Sequence, residues 1–428
     1  MIREGEISGP ELLALYRARL PELRPLNAVV EELEDRWLAG APQNGPFAGV
    51  PFSIKDSIEV AGTVCSAGTL GYRERPKSPK DAVLVARLRG AGAMPFARTN
   101  LPDLLFAFES DNLIFGRTNN PYDFSRTSGG SSGGEAALIA ACGSPFGLGS
   151  DAAGSVRLPA HYCGIASLKP TSGCLDRTGH VPPAGGWLEM VWQIGPMARH
   201  VEDLIAMMPV LAGRPLREHS VSRIAIFTDN GICRADADTE RVVRAAAQAL
   251  AGRGYTVEEN RPGAIDQSYE LEMKFIGPDG GDGLRAFLRD IGSDRTHPLL
   301  EGWLKKLEPY RTDLAGFAKY WAELDRFRDE MNAFLGSYDA IVSPVAAFPA
   351  VPHGTSIRDD VFPGYSYTMT YNMTGWPAAV VRCGTSREGL PIAVQIAASK
   401  WHEDIVLKLA RELEEDLGGW QAPTASCS

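Results

Sequence analysis

The chain has 428 residues, of which 44% are hydrophobic and 22% are charged, a composition typical of a globular protein. This composition excludes wholesale disorder, collagen and a coiled coil. The net charge of −10 argues against nucleic acid as the main partner, because contacts with phosphates need a basic face. No apolar run reaches the roughly 18 residues of a membrane helix, and the first residues do not resemble a signal peptide. The seven cysteines are scattered and include no C-x-x-C pair, so we expect free thiols in a cytoplasmic protein with no membrane partner.

Helices and strands are predicted to alternate along the chain. Ser8 and Glu11 have the spacing of a capping box, and the apolar residues that follow predict a first helix over residues 9–20. Short apolar runs predict strands at 50–54, 95–97, 146–149, 223–227, 255–259, 340–343, 378–383 and 392–397. Further helices are predicted at 82–91, 135–142, 242–250, through most of 265–335, and around 405–413. This alternation predicts an α/β fold with a mixed sheet, and the lack of an internal repeat or linker predicts one domain over residues 1–428.

A glycine–serine loop at 129–134 is the first candidate for chemistry. A flexible linker or a helix N-cap explains such a loop in isolation, but here a small-residue helix and a second glycine-rich loop follow at once. The loop lacks the Gly-Lys-Ser/Thr of a phosphate-binding P-loop. It also fits the G-x-S-x-G elbow of α/β hydrolases, with Ser131 as the nucleophile. That motif needs a strand directly before it, and residues 120–128 are not strand-like.

Two other positions have the setting of catalytic groups. The small residues between Gly149 and Ser155 leave backbone N–H groups uncovered, so two or three of them can point at one oxygen, as an oxyanion hole requires. A tight turn between a strand and a helix is the alternative. Lys55 ends the mostly apolar run 50–54, where desolvation would lower the pKa of its ammonium group and let the neutral amine act as a base. A surface lysine at a strand end is the alternative here.

Together, the lysine and the two serine loops resemble the amidase signature family, whose catalytic group is Ser–cis-Ser–Lys. Residues 126–173 carry the longest match, RTSGGSSGGEAALIAACGSPFGLGSDAAGSVRLPAHYCGIASLKPTSG, and GVPFSIKD fits the lysine motif. Other similar segments are ARTNLPDL, FGRTNNPYD, GPMARHVEDL, YDAIVSP, TYNMTGWPAAVVRCG and GLPIAVQIAA. The resemblance implies the amidase signature fold, a central mixed β-sheet flanked by helices on both faces. Its signature core covers about 50–175, and a variable, mostly helical region covers about 265–335.

The resemblance also implies a role for individual residues. Ser155 would be the nucleophile, Ser131 the bridging serine after a cis peptide bond, and Lys55 the neutral base. The resemblance further implies oxyanion and substrate-binding groups, which belong to Ala152, Ala153, Gly154, Gly129 and Gly130. Family members usually have glycine at the position of Ala153, so the extra methyl group is expected to change the acyl-group preference or the loop conformation. No metal and no organic cofactor are implied.

Such a group makes chemical sense, because a serine hydroxyl is a weak nucleophile that needs an adjacent base. A lysine can be that base only if it is uncharged at the working pH. The bridging hydroxyl lets a proton move from Ser155 to Lys55 and later reach the leaving amine, after which water attacks the acyl-enzyme. The predicted reaction converts a small-molecule carboxamide and water into a carboxylic acid and ammonia or an amine, and esters are possible further substrates. A homodimer is the expected assembly.

Two other functions stay open from the sequence. One is the glutamine-hydrolysing component of a tRNA-dependent amidotransferase (its A subunit), which shares the fold, although the matching segments look more like those of stand-alone amidases. The other is a binding scaffold without catalytic activity, against which the intact Ser155, Ser131 and Lys55 count. No motif separates aliphatic, aryl, fatty-acyl and amino-acid amides.

Other conspicuous residues are interpreted as structural. Asp151 and Arg157 flank the nucleophile and are predicted to brace its loop through a salt bridge, and His161 is predicted to pack with satisfied hydrogen bonds. Asn100 and Asp103 are expected to support the site from outside it. Among the aromatic residues, core packing is predicted for Phe106, Phe108 and Phe115. Helix packing, with an acyl pocket as the alternative, is predicted for Trp303, Tyr310, Phe317, Tyr320 and Trp321.

Overall fold

The computed structural model of the chain is built on one large sheet that is covered by helices. It describes residues 2, 5–34, 42, 44–183 and 185–423. The helices are α1 (Gly9–Arg19), α2 (Val83–Gly90), α3 (Gly133–Ala140), α4 (Arg157–Cys163), α5 (Val201–Ala212), α6 (Ala237–Gly252), α7 (Ser268–Ile276), α8 (Asp282–Asp290), α9 (Pro298–Leu307), α10 (Leu314–Leu335), α11 (Ser366–Met373) and α12 (Glu403–Leu417). The strands are β1 (Val29–Glu32), β2 (Pro51–Lys55), β3 (Met94–Thr99), β4 (Asn119–Asn120), β5 (Asp123–Thr127), β6 (Phe146–Asp151), β7 (Ala166–Lys169), β8 (Gln193–Ala198), β9 (Arg223–Ile226), β10 (Thr256–Glu259), β11 (Ala340–Pro344), β12 (Ala378–Thr385) and β13 (Pro391–Ala398).

Eleven of these strands form one mixed sheet in the order β1-β3-β2-β6-β8-β7-β12-β13-β11-β9-β10. Parallel pairs join β3, β2 and β6 on one side and β11, β9 and β10 on the other. Antiparallel pairs form the middle of the sheet between β6 and β11, and β1 pairs antiparallel with β3 at one edge. The prediction of an α/β fold with a mixed sheet is therefore confirmed.

Helices cover both faces of the sheet, which explains why its central strands are apolar runs without alternation. Successive side chains of a strand point to opposite faces, and Val380 and Val381 of β12 accordingly belong to different hydrophobic clusters. The cluster around Val381 includes side chains of α2, α5, α6 and α12. The cluster around Val380 includes side chains of α3 and α4. Both faces of the central strands are thus removed from water.

Most predicted elements are found close to their expected bounds. The capping box of α1 is present, since Ser8 Oγ accepts a hydrogen bond from Glu11 N–H and a Glu11 carboxylate oxygen accepts one from Ser8 N–H. Strands β3 and β6 are longer than predicted, and the region 265–335 contains the helices α7 to α10, as expected. None of the helices in the described ranges is long and apolar enough to cross a membrane.

The prediction that residues 120–128 are not strand-like was wrong. They contribute to a two-stranded antiparallel ribbon of β4 and β5, separate from the main sheet. The turn between the strands is held by Asn120, whose side chain accepts a hydrogen bond from Tyr122 N–H and donates one to the Thr127 carbonyl. Polar side chains can form such a ribbon because they complete its hydrogen bonds locally. The ribbon still differs from the sheet strand that precedes a nucleophile elbow.

Candidate active site

The site forms where two neighbouring parallel strands end. Lys55 is the last residue of β2 and Asp151 is the last residue of β6. Because β2 and β6 run parallel and pair directly, their carboxyl ends lie at the same edge of the sheet. The loop that leads into α3 carries Ser131, and the loop between β6 and α4 carries Ser155. The fold thus brings the three residues of the predicted catalytic group to one place.

Lys55 is completely buried and in contact with the bridging serine. Its Nζ atom lies 2.7 Å from Ser131 Oγ and 3.1 Å from Ser150 Oγ. Burial lowers the pKa of Lys55 well below its ordinary value, and the negative charges of Asp151 and Glu135 oppose this shift only in part. An amine whose ammonium form is disfavoured, in hydrogen-bond contact with a hydroxyl group, has the setting that a general base requires.

A buried carboxyl group beside Lys55 was not predicted from the sequence. Glu135, in the first turn of α3, accepts hydrogen bonds from Ser53 Oγ and, at 2.7 Å, from Thr99 Oγ1. Burial raises the pKa of Glu135 to about 7, against the two hydroxyl hydrogen bonds and the charge of Lys55. A Cβ at Gly147 would overlap Glu135 Oε1, so this glycine provides the space for the carboxyl group. An acidic residue within a run of small residues was the only available signal.

The loop of Ser131 is packed tightly against its surroundings. The peptide bond between Gly130 and Ser131 is cis, as the resemblance implied. Gly129 has φ +84°, and a Cβ at Gly130 would lie 2.5 Å from the Ala107 carbonyl oxygen. The two glycines do not belong to the lining of the cavity described below. In the structure they permit close backbone packing, and the substrate-binding role of these glycines stays a prediction.

The loop of Ser155 leaves several backbone N–H groups available. Among the described residues, no hydrogen-bond partner is found for the N–H groups of Ala152, Ala153 and Ser155. The N–H group of Gly154 instead donates to Asp151 Oδ1 at 2.8 Å, so it is removed from the predicted set of oxyanion donors. Gly154 has φ +122°, and a Cβ there would overlap the side chain of Thr368. Only glycine fits this position without displacing α11.

The predicted salt bridge between Asp151 and Arg157 is present and fully buried, with 2.9 Å between Asp151 Oδ1 and Arg157 Nη2. Asn372 of α11 donates a further hydrogen bond to the same carboxylate, and Val156 N–H donates another. Burial alone would raise the pKa of Asp151, but the charge and hydrogen bonds of Arg157 outweigh it and hold that pKa below its ordinary value. The carboxylate therefore stays charged and fixes the turn that carries Ser155.

Ser131 and Ser155 line the same narrow cavity of about 50 Å³. The two loops are tied together by Ser132 N–H, which donates to the Ser155 carbonyl at 3.1 Å, and Ser155 is 8% exposed. The rest of the lining is apolar and consists of Leu105, Phe106, Ala107, Phe108, Ala152, Ala153, Leu188, Val191, Trp192, Ile276 and Trp303. Phe108 belongs to a hydrophobic core cluster and Phe106 packs against it, as predicted, and both also line the cavity.

The remaining predicted residues have supporting positions. The side chain of Asn100 donates to the carbonyls of Asn27 and Gly116 and joins loops behind the site. Asp103 accepts a hydrogen bond from His297 N–H at the start of α9. Both ring nitrogens of His161 have partners, as predicted: Nδ1 accepts from Ala393 N–H and Nε2 lies 3.1 Å from the Phe348 carbonyl oxygen.

Two serine loops and a buried lysine at one end of a helix-covered mixed sheet are the features of an amide hydrolase of the amidase signature type. Comparison with known families agrees: the model of the Amidase family matches residues 26–407, and the chain belongs to this family. It is an amidase.

Its relatives differ in what they act on. The chain is 30% identical to fatty-acid amide hydrolase 2 of Homo sapiens, over 91% of this chain and 78% of that protein. It is 34% identical to the A subunit of glutamyl-tRNA(Gln) amidotransferase from Treponema pallidum (strain Nichols), over 88% of this chain and 83% of that protein. The solved structure of 6-aminohexanoate cyclic dimer hydrolase complexed with substrate matches with a TM-score of 0.86 and 26% identity, over 99% of this chain and 97% of that one.

Proposed function

We propose that the protein hydrolyses carboxamides with an apolar acyl group through an acyl-enzyme on Ser155, with Ser131 as proton relay and Lys55 as base. One observation carries this proposal. The buried Lys55 Nζ lies 2.7 Å from Ser131 Oγ, and Ser131 shares a cavity with Ser155. This contact and the shared cavity support a proton relay from Ser155 through Ser131 to a base that is buried from water.

In the first half of the reaction, Ser155 Oγ attacks the carbonyl carbon of the amide. Its proton passes to Ser131 Oγ, while the Ser131 hydroxyl proton passes to Lys55 Nζ, which becomes an ammonium group. The negative charge moves to the substrate oxygen, where the N–H groups of Ala152, Ala153 and Ser155 are available to stabilise it. A single oxyanion donor of this kind contributes about 10²–10³ to the rate.

Collapse of the tetrahedral intermediate breaks the C–N bond and needs a proton on the leaving nitrogen. The proton returns from Lys55 through Ser131 to that nitrogen, and ammonia or an amine departs. Water then enters, gives its proton to Ser131 along the same relay, and attacks the ester carbonyl. The second collapse releases the carboxylic acid and restores the Ser155 hydroxyl group.

The lining of the cavity supports an apolar acyl group. Phe106, Phe108, Ile276 and Trp303 offer no charge to a substrate, and the polar side chains in the lining are the two serines. Fatty-acid amide hydrolase 2 is named for such a substrate. A glutaminase, the alternative function predicted from the sequence, has to hold the ammonium and carboxylate groups of glutamine. The apolar lining favours a stand-alone amidase over that alternative, and the buried base favours an enzyme over a scaffold.

Labelling with a fluorophosphonate, followed by mass spectrometry of the adduct, tests the proposal. The adduct is expected on Ser155, and Ser155→Ala should lose amidase activity by several orders of magnitude. Ser131→Ala is the matched control, because it removes a hydroxyl group from the same cavity but leaves the nucleophile. It should still be labelled on Ser155, more slowly than the wild type. An adduct on Ser131 would instead support the nucleophile elbow.

A panel of amides that differ only in the acyl group tests the substrate class. The value of kcat/KM is expected to rise from acetamide to longer aliphatic and aryl amides, and glutamine should be a poor substrate. Preferential hydrolysis of glutamine would contradict the proposed class and favour the amidotransferase function.

A further inference from the structure

A second cavity, of about 380 Å³, shares a wall with the catalytic cavity. The segment 187–193 forms that wall. Leu188 and Val191 line the catalytic cavity, whereas Trp187 and Gln193 line the second one. Neither Ser131, Ser155 nor Lys55 belongs to the second cavity, and the mechanism proposed above does not use it.

Two cationic side chains, Lys400 and Arg328, line this second cavity, and neither forms an ion pair with another described residue. Within the described ranges, Lys400 has no ion-pair or hydrogen-bond partner. Arg328 donates only to neutral acceptors, from Nε to the Met373 carbonyl at 2.8 Å and from Nη2 to Met190 Sδ at 3.3 Å. Burial, and then the nearby charge of Arg328, lower the pKa of Lys400. Two like charges that partly lose their hydration would both be stabilised by an anion between them.

The second cavity is also lined by Ser172, whose hydroxyl group has no hydrogen-bond partner among the described atoms. Its Oγ atom is buried. A Cβ at Gly375 would lie 3.1 Å from Ser172 Oγ and 3.2 Å from Lys400 Cε, and this glycine has φ +72°. Gly375 therefore packs closely against Ser172 and Lys400 and keeps the two side chains beside each other. Buried polar atoms such as Ser172 Oγ normally have a partner.

The other walls favour an organic ligand over a small inorganic ion. The indole rings of Trp187 and Trp321 line the cavity and supply apolar surface. Glu189 also belongs to the lining and is paired with Arg177, with 2.9 Å between Glu189 Oε2 and Arg177 Nη2. Because Arg177 neutralises Glu189, Lys400 and Arg328 are the charges left for a ligand, and the indole rings favour an anion with an organic body.

We propose that this cavity binds an organic monocarboxylate, whose carboxylate group lies between Lys400 and Arg328, beside the buried hydroxyl group of Ser172. Its aromatic or aliphatic body packs against Trp187 and Trp321. Charge-assisted hydrogen bonds to ammonium and guanidinium groups are the strong contacts of carboxylates in proteins. This inference is independent of the catalytic roles proposed above, because it uses none of those residues.

The proposal can be tested by soaking crystals of the full chain with 4-bromobenzoate. The anomalous signal of bromine then shows where the ligand binds. A bromine peak between Trp187 and Trp321, with the carboxylate on Lys400 and Arg328, is the expected result. A peak confined to the catalytic cavity, or no peak, would overturn the proposal. The position of the peak also separates this test from the proposed function, which does not depend on the second cavity.

Isothermal titration calorimetry measures the affinity for 4-bromobenzoate in solution and allows the wild type to be compared with matched variants. Lys400→Gln should weaken binding of 4-bromobenzoate by about tenfold, whereas Lys400→Arg, which keeps the charge, should stay within about threefold of the wild type. Lys319→Gln removes the same charge from an exposed position on α10 and should leave the affinity unchanged. Unchanged binding in Lys400→Gln, or inorganic phosphate that binds as tightly as 4-bromobenzoate, would refute a carboxylate site.

Discussion

Asp151→Asn removes the charge that fixes the nucleophile loop while it keeps the size of the side chain. The carboxylate accepts hydrogen bonds from the N–H groups of Gly154 and Val156, from Arg157 and from Asn372. An amide offers one acceptor and one donor group, so it cannot replace these contacts, and the buried Arg157 loses its ion pair. Breaking a buried pair in this way costs about 3–5 kcal/mol.

That cost converts into a measurable shift of the melting temperature. An unfolding entropy of about 2.1 cal/mol/K per residue gives about 0.9 kcal/mol/K for 428 residues that unfold together. The Tm of Asp151→Asn is therefore expected to fall by roughly 3–6 °C at pH 7. Activity should fall by at least about 10²-fold, because the loop that presents the oxyanion donors loses its anchor.

The pH dependence of the change in Tm tests whether the charge of Asp151 is its cause. A carboxyl group whose folded pKa is depressed contributes stability above its unfolded pKa, near 3.8 for Asp151, and loses that contribution as the pH falls toward the folded pKa. The Tm difference between the wild type and Asp151→Asn should narrow below about pH 3.8. The double variant Asp151→Asn with Arg157→Gln removes both charges and should cost less than the sum of the two single variants, because each single variant leaves one buried charge unpaired. A Tm loss below about 1 °C, with activity retained, would refute the role given to this pair.

Three further substitutions test neighbouring parts of the site. Gly154→Ala should misfold locally and lose activity, because its φ of +122° and its close approach to Thr368 exclude a methyl group; an unchanged kcat would contradict this. Ala153→Gly should fold and shift the preference among acyl groups, since Ala153 lines the cavity, and constant kcat/KM ratios across an acyl series would exclude such a role. Glu135→Gln should move the acid limb of the kcat/KM profile to lower pH, because the charge of Glu135 raises the pKa of Lys55; an unmoved limb would show that the two groups are uncoupled.

Each member of the proposed catalytic group lies in a local pattern, but only the resemblance to the amidase signature family joined the three residues into one group. Lys55 follows a buried apolar run, and the two serines lie in loops of small residues, so neighbours in the sequence describe the surroundings of each one. The structure places both serines in the lining of one cavity and Lys55 in contact with Ser131. The sequence does not show which backbone N–H groups are available to an oxyanion. Gly154 N–H donates to the Asp151 carboxylate, and this contact forms only in the folded turn.

Most of the site features that the sequence did not predict are contacts between distant parts of the chain. Thr368 and Asn372 reach the nucleophile loop from α11, 215 and 221 residues away from their partners Ala153 and Asp151. No local periodicity marks such contacts. The place of Phe108 in the cavity wall was not predicted either, because the wall of an apolar cavity and a core have the same composition, and only the packed structure distinguishes them.

The central claim is that Lys55 works as a neutral base, and the most direct test is kcat/KM against pH for the wild type and Lys55→Arg on one amide. Wild-type activity should rise with pH through a lysine pKa that lies well below the ordinary value, because burial disfavours the ammonium form. Arginine keeps the charge but does not deprotonate at usable pH, so Lys55→Arg should lose about 10²–10⁴-fold in rate while its Tm stays within a few degrees. An arginine variant that folds normally and keeps more than about a tenth of the wild-type activity would contradict the account.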